Sequence, residues 1–123
     1  MKTIRKSGED YLETIYNLLG DGQSVRSVVV AKALGVSKPS AFNAFKVLAE
    51  EGYIVKEPYG AVSLTVKGVQ YARAIQKKHK AIRMLLIDVL KVSAAVAERD
   101  ACKIEHCLSE ETTDRLFEFL KLN

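Results

Sequence analysis

Apolar side chains return at helical spacing in six stretches of the chain, and the breaks between them carry recognisable punctuation. Leu12, Ile15, Tyr16 and Leu19 mark a first helix, capped by Ser7 and stopped by Gly20 and Gly22. Val28, Val29, Ala31 and Leu34 mark a short second helix over 25–34, ended by Gly35, a residue free to take the left-handed conformation. Ser37 caps a third with Pro39 in its first turn, where a missing N–H is harmless; Ala41, Ala44, Phe45 and Leu48 form its buried stripe, with Phe42 packing at the edge, and it ends near Gly52. The period then changes. Tyr53–Lys56 and Ala61–Thr65 are β-rich segments around the turn Glu57-Pro58-Tyr59-Gly60, the pattern of a hairpin. Helical spacing resumes in one long helix from Thr65 to Leu90, then over 93–107 behind Ser93, and last behind Ser109 with Leu116, Phe117 and Leu120 inward.

Two helices joined by the turn Leu34-Gly35-Val36-Ser37, with Val36 packing inward, followed by a hairpin, form the winged helix-turn-helix pattern. The expected fold class is mainly α: a winged helix-turn-helix of three helices plus a β-hairpin wing over residues 1–72, then an all-helical domain over 73–123. Two short amphipathic helices and half of a long one enclose little core alone. The second domain is therefore expected to pack against a copy of itself, giving a homodimer.

Composition narrows the class. Of 123 residues, 48% are hydrophobic and 28% charged, ordinary for a globular protein and unlike a disordered one. The most apolar run, Ala81–Leu90, is cut by Arg83 and Asp88, so no membrane span is expected; no apolar signal region follows the basic start, and the chain reads as cytoplasmic. Cys102 and Cys107, five apart on one helix, point to different sides, which argues against a disulfide between them.

Charge is distributed unevenly. The net +4 hides two acid-free stretches: 22–49, with Arg26, Lys32, Lys38 and Lys46, and 58–87, with Lys67, Arg73, Lys77, Lys78, Lys80 and Arg83. Acids gather in 9–13 and from Asp88 onward, a split that suits an anionic polymer on one surface and a cation on another. On the third helix Pro39, Asn43 and Lys46 face away from the apolar stripe. Asn43 can bond adenine bidentately, Ser37 and Ser40 can donate to phosphate or bases, and Pro39 offers an apolar surface to a thymine methyl. Lys38 and Lys46, with Arg26, suit phosphates, and Tyr59 at the wing tip can lie along the backbone or minor groove.

Metal-ligand types cluster as well. Asp10 and Glu13 share one face of the first helix; Cys102, Glu105 and His106 stand at i, i+3 and i+4 and share one face of another. His79 lies among apolar neighbours in the long helix. Singly each has a structural reading: first-turn acids, a small buried thiol, a core histidine. A thiol, a carboxylate and an imidazole together on one helical face instead suit a divalent transition ion.

The segments GEDYLETIY, SVRSVVVAKALGVSKPSAFNAFKVLAEEGYI, VSLTVKG, KKHKAIRMLL and ACKIEHCLSEE resemble the iron- and manganese-dependent repressors of the DtxR/MntR family over nearly the whole chain. The resemblance implies a metal-loaded homodimer that binds palindromic operator DNA and controls metal homeostasis. It also implies that Asp10, Glu13, His79, Cys102, Glu105 and His106 supply the metal site, in a helical dimerisation and metal-binding domain. The ligand set is mixed. Asp10 and Glu13 resemble the manganese branch, while Cys102 resembles the iron branch, so Mn(II) or Fe(II) is expected, with Co(II), Ni(II) or Zn(II) binding in vitro. Arg83 replaces the iron branch's ancillary carboxylate, which argues against a second site of that kind; two adjacent ions sharing Glu105 is the manganese-type alternative. Cys107 has no role in the family pattern. The chain stops short of the family's SH3-like third domain, so the short form is expected.

No small-molecule substrate is expected. A zinc hydrolase with Glu105 as base lacks the metalloprotease spacing, a nucleophile elbow and a phosphate loop, so the chain reads as a regulator and not an enzyme. The competing regulator is a winged-helix protein with vestigial ligands, acting constitutively or through protein partners.

Overall fold

The computed structural model describes residues 6–22, 24–57 and 60–121. The backbone divides into two compact units, Met1–Ala72 and Arg73–Asn123. Three helices open the first: α1 (Lys6–Gly20), α2 (Ser27–Leu34) and α3 (Lys38–Glu50). An antiparallel hairpin follows, β1 (Ile54–Lys56) with β2 (Val62–Leu64), in the register Ile54↔Leu64, Val55↔Ser63, Lys56↔Val62. The helix α4 (Val66–Met84) runs on into the second unit and passes into a π-helical turn over Leu85–Val89, followed by α5 (Ala94–Ile104) and α6 (Glu110–Leu120). No helix among the described residues is long and apolar enough to cross a membrane.

The three N-terminal helices bury one shared core. Leu12 and Ile15 from α1, Val30 and Ala31 from α2, and Ala41, Phe45 and Leu48 from α3 are at most 3% exposed. Ala41, Phe45 and Leu48 recur at helical spacing, so α3 keeps one face for this core and leaves the opposite one to solvent. Gly35 ends α2 at φ 68° and ψ 34°, a left-handed cap that reverses the chain without Cβ strain. Ser37 then caps α3, its Oγ accepting from the Ser40 N–H at 3.2 Å. Two expectations fail locally. Leu34, not Val36, packs against the core from this turn, and Val36 is left exposed. Ser7 does not cap α1, because helical backbone is already established at Lys6 and Glu9 in the first turn complements the dipole.

The wing is fastened to its surroundings. Three-residue strands are marginal alone, but the Val62 N–H donates to the Val25 carbonyl at 2.9 Å, tying β2 to the segment before α2. Thr65 caps α4 by accepting from the Gly68 N–H at 3.0 Å, while its hydroxyl lies 2.7 Å from the Gly52 carbonyl oxygen. Lys67 donates to the Glu51 carbonyl at 2.8 Å and lies 4.4 Å from the centre of the Tyr53 ring. Gly68 is required by contact and not by dihedral freedom. A Cβ there would overlap the Tyr53 carbonyl oxygen and stand 3.2 Å from Leu64 Cδ2. Gly68→Ala is therefore expected to lose about 1–3 kcal/mol of stability by forcing helix and strand apart, measured by urea unfolding. A loss below about 0.5 kcal/mol would show that the backbone yields freely.

In the second unit Ile75, Ala81 and Ile82 of α4 and Ala97 and Ala101 of α5 are buried. Ser93 and Ser109 cap α5 and α6, accepting from Val96 N–H and Thr112 N–H. The long helix departs from expectation at its end: the Leu90 N–H reaches back five residues to Leu85 O at 3.1 Å, so the last turn is π, not α. The helix expected over 93–107 also stops early, at Ile104. Glu105 keeps helical dihedrals as the cap residue, and His106 lies in the turn beyond.

Candidate functional site

On the first unit the solvent face of α3 carries Lys38, Pro39, Ser40, Asn43 and Lys46, all exposed, with Ser37 exposed at its N-terminus. Burial of the alternate face by Ala41, Phe45 and Leu48 is what turns these side chains outward. The Ser37 and Ser40 hydroxyls stand 2.8 Å apart, so the cap and its neighbour form a small polar pair at the helix start. Arg26 occupies the cap position of α2 with extended backbone, and its Nη1 lies 3.2 Å from where a Cβ on Gly60 would sit, beside the wing. Tyr59 lies outside the described residues.

Phe42 departs from the sequence reading. It is 52% exposed, and Lys56 from β1 places its ammonium 4.4 Å from the ring centre. Ala41 and Phe45 already fill the inward stripe, so Phe42, a rotation of about 100° past Ala41, emerges toward the wing. Lys56 was not singled out from sequence. Strand alternation would set Lys56 on the side of the buried Ile54, but burial along β1 ends at Ile54 and Lys56 is exposed.

The carboxylates of α1 divide by environment. Glu9, 4% exposed, accepts from the Tyr71 hydroxyl at 2.7 Å, and the Tyr71 ring meets Tyr53 edge-on at 5.3 Å between centroids. Asp10 and Glu13, half-buried, lie one turn apart on the same helix.

In the second unit three helix-borne donors and two just beyond a helix end lie near one another. His79 of α4 presents its ring between two carboxylates: Nε2 lies 2.9 and 3.0 Å from the Glu98 oxygens, and Nδ1 lies 3.4 Å from Glu105 Oε1. Glu98 precedes Cys102 by one turn of α5, and one ligand atom each from His79, Glu98 and Cys102 lie within 4.8 Å of one another. Glu105 is 1% exposed, with His106 Nε2 3.8 Å from the same Oε1. Neither cysteine is in a disulfide and both are exposed, which goes against the structural alternative of Cys102 as a small buried thiol. Cys107 Sγ lies 3.6 Å from the Lys103 carbonyl, local to its own turn.

Glu98 is the member sequence reasoning missed. Its spacing to Cys102 was available, but an acid on an amphipathic helix reads as a solvated charge until His79, nineteen residues earlier, is brought to it. The electrostatics follow from this crowding. Burial disfavours a charged His79 ring, but the hydrogen bond to Glu98, the attraction of Glu105 and Glu98, and the hydrogen bond to Glu105 outweigh it and hold the imidazole pKa above its ordinary value.

The donor set fits a divalent transition ion. Glu105 is a nearly fully enclosed carboxylate with His79 Nδ1 3.4 Å and His106 Nε2 3.8 Å from its Oε1, and a divalent cation held among the same donors would balance its charge. Nitrogen, thiol and carboxylate donors together are the chemistry of Mn(II) through Zn(II), not of Ca(II) or Mg(II).

An exposed reading helix beside a wing, and a histidine, thiol and carboxylate cluster in a helical second unit, define a metal-dependent transcription regulator. Residues 4–62 match the profile described as "Iron dependent repressor, N-terminal DNA binding domain", and residues 65–122 match "Iron dependent repressor, metal binding and dimerisation domain". The chain belongs to this iron-dependent repressor family, the DtxR/MntR family. It is 37% identical over 119 residues to an uncharacterised helix-turn-helix transcriptional regulator of Methanocaldococcus jannaschii, covering 96% of this chain and 95% of that protein. It is 40% identical over 111 residues to the transcriptional regulator MntR of Escherichia coli, covering 89% of this chain and 71% of MntR. The solved structure of the manganese regulator SloR superposes with a TM-score of 0.80 at 30% identity, covering 99% of this chain and 56% of the SloR chain. These relatives are regulators, not enzymes.

Proposed function

We propose that the protein is a repressor that binds palindromic operator DNA as a homodimer when loaded with Mn(II) or Fe(II), and so controls metal homeostasis. The observation that carries the reading is the cluster of His79, Glu98 and Cys102, with Glu105 3.4 Å from the same imidazole, in the domain matched as metal-binding and dimerising. Asp10, Glu13, His79, Cys102, Glu105 and His106 are the proposed ligands, and the bound ion supplies the positive charge that these donors share. Cys102 and the carboxylates pull selectivity in opposite directions, so later ions also bind in vitro. Asp10 and Glu13 belong to the DNA-binding unit. Recruiting them makes metal affinity and DNA affinity interdependent, each tightening the other by the same factor, typically about 5–150-fold.

The DNA-facing roles follow from the exposed side chains. Lys38, Lys46 and Arg26 neutralise phosphates, the α3 N-terminus with Ser37 and Ser40 approaches the backbone, and Asn43 and Pro39 meet base edges, with Tyr59 and the wing alongside. Val89, Leu90 and Phe119, all exposed in the second unit, support a partner subunit covering them. A two-fold dimer would then set two α3 helices about 34 Å apart, one DNA turn.

The test is anaerobic titration of a fluorescent duplex, selected from random sequence in the presence of Mn(II), with and without chelator. Metal is expected to tighten binding at least about 5-fold. Lys38→Ala should weaken all duplexes alike and lower the salt slope by about 1, while Asn43→Ala should relax preference at one base pair. Binding to the selected duplex that ignores Mn(II), Fe(II) and chelator would sink the switch and favour a constitutive winged-helix protein.

A further inference from the structure

One imidazole nitrogen cannot hold both a proton and an ion, so the two carboxylates facing His79 cannot have the same role. Nε2 meets both oxygens of Glu98 at hydrogen-bond distance, whereas Nδ1 stands 3.4 Å from the buried Glu105. The cluster of His79, Glu98 and Cys102 admits two arrangements. Glu98 and Nε2 could both coordinate with the thiol, or Glu98 could accept the Nε2 proton and leave Nδ1 to the ion.

Arg83 decides between them. It follows His79 by one turn of α4, and its Nε lies 3.4 Å from Glu98 Oε2, the same oxygen that lies 2.9 Å from His79 Nε2. A carboxylate already facing a guanidinium is a weakened ligand, and an ion placed on it would bring two positive charges together. Glu105 has the opposite setting: it is enclosed at 1% exposure, with imidazole nitrogens of His79 and His106 both within 4 Å of its Oε1.

We propose that Glu98, held by Arg83, is a positioning residue that accepts the Nε2 proton of His79 and thereby presents Nδ1, beside Glu105, as the nitrogen that binds the ion. This rests on the reading of His79 and Glu105 as metal ligands. It gives the centre a carboxylate–imidazole–metal relay, in which the carboxylate fixes the ring's orientation and strengthens it as a ligand. It also gives Arg83 a function in the centre without contact with the ion: it keeps Glu98 an acceptor.

The test uses the full chain with ¹⁵N-labelled histidine, loaded with ¹¹³Cd(II) as a diamagnetic probe. The expected spectrum has ¹¹³Cd coupling at His79 Nδ1 and a proton on Nε2. Coupling at Nε2 overturns the proposal while leaving the metal centre intact; absence of any bound Cd(II) overturns both. Glu98→Ala should lower Cd(II) affinity by about 10–100-fold, and Glu98→Gln, which keeps an acceptor oxygen, should recover part of that loss with Nδ1 still coordinating. Equal affinity in wild type and Glu98→Ala, with unchanged coupling, overturns the positioning role. Arg83→Ala should release Glu98 and shift coupling toward Nε2, and an unshifted spectrum overturns the assignment to Arg83.

Discussion

Glu105→Gln is expected to lower affinity for Mn(II) by about 100-fold or more and to leave operator binding unresponsive to metal. Changing only an orienting partner of a metal ligand typically costs about 10–100-fold, and Glu105 is proposed as a ligand itself. Its setting makes the loss larger than at an exposed carboxylate. At 1% exposure, water has little access to take its place, and His79 and His106 both lie within 4 Å of its Oε1. Glutamine preserves volume and an oxygen while removing the charge, so the enclosed space stays filled and the second unit should keep its helices. Isothermal titration with Mn(II), paired with far-ultraviolet circular dichroism, separates lost coordination from lost folding. A folded variant that binds Mn(II) within about 3-fold of wild type would remove Glu105 from the ligand set.

Phe45→Ala carries the largest expected effect on stability. Among the described residues Phe45 is the largest side chain at under 2% exposure, and it belongs to a core cluster that joins α1, α2 and α3. Truncating such a ring costs about 3–5 kcal/mol, through lost transfer energy and the cavity left behind. Domain stabilities are commonly about 5–15 kcal/mol, so the DNA-binding unit would approach its unfolding midpoint at ordinary temperature. Urea unfolding followed by circular dichroism measures this. Phe42→Ala on the same helix is the control: a ring 52% exposed under a lysine should lose about 1 kcal/mol at most. Comparable losses at the two positions would contradict the assignment of faces on α3.

What the sequence revealed depended on how local the cause was. Gly35, Ser37, Pro39, Ser93 and Ser109 act within a few residues of themselves, and the caps and turns built on them stand where the pattern placed them. Ser7 has the same chemistry, but a hydroxyl able to cap a helix cannot say that the helix has already begun. The π turn after Met84 illustrates another limit. Leu-Leu-Ile-Asp-Val has the spacing and the propensity of an α-helix, and only a shift of hydrogen-bond partner by one residue distinguishes the two. Phe42 was misjudged because period alone assigns faces to within half a turn.

The cluster around His79 was legible for its spaced members. Cys102, Glu105 and His106 announce themselves by proximity in sequence, even though the helix supporting them ends at Ile104. Glu98 and Arg83 do not, because their significance arises from tertiary approach: His79 and Arg83, one turn apart on α4, both meet one carboxylate of α5. Asp10 and Glu13 remain ligands proposed from resemblance and chemistry.

The fastening of the wing has a thermodynamic consequence for recognition. Because β2 is bonded to the segment before α2, and Thr65 and Lys67 after β2 are bonded to Gly52 and Glu51 between α3 and β1, the two strands are expected to fold together with the helices around them. Their conformational entropy is surrendered when the core of Phe45 and Leu48 forms. Association with a duplex then meets strands and reading helix as one preordered surface, so the ordering penalty that a loose hairpin would impose on each binding event is absent.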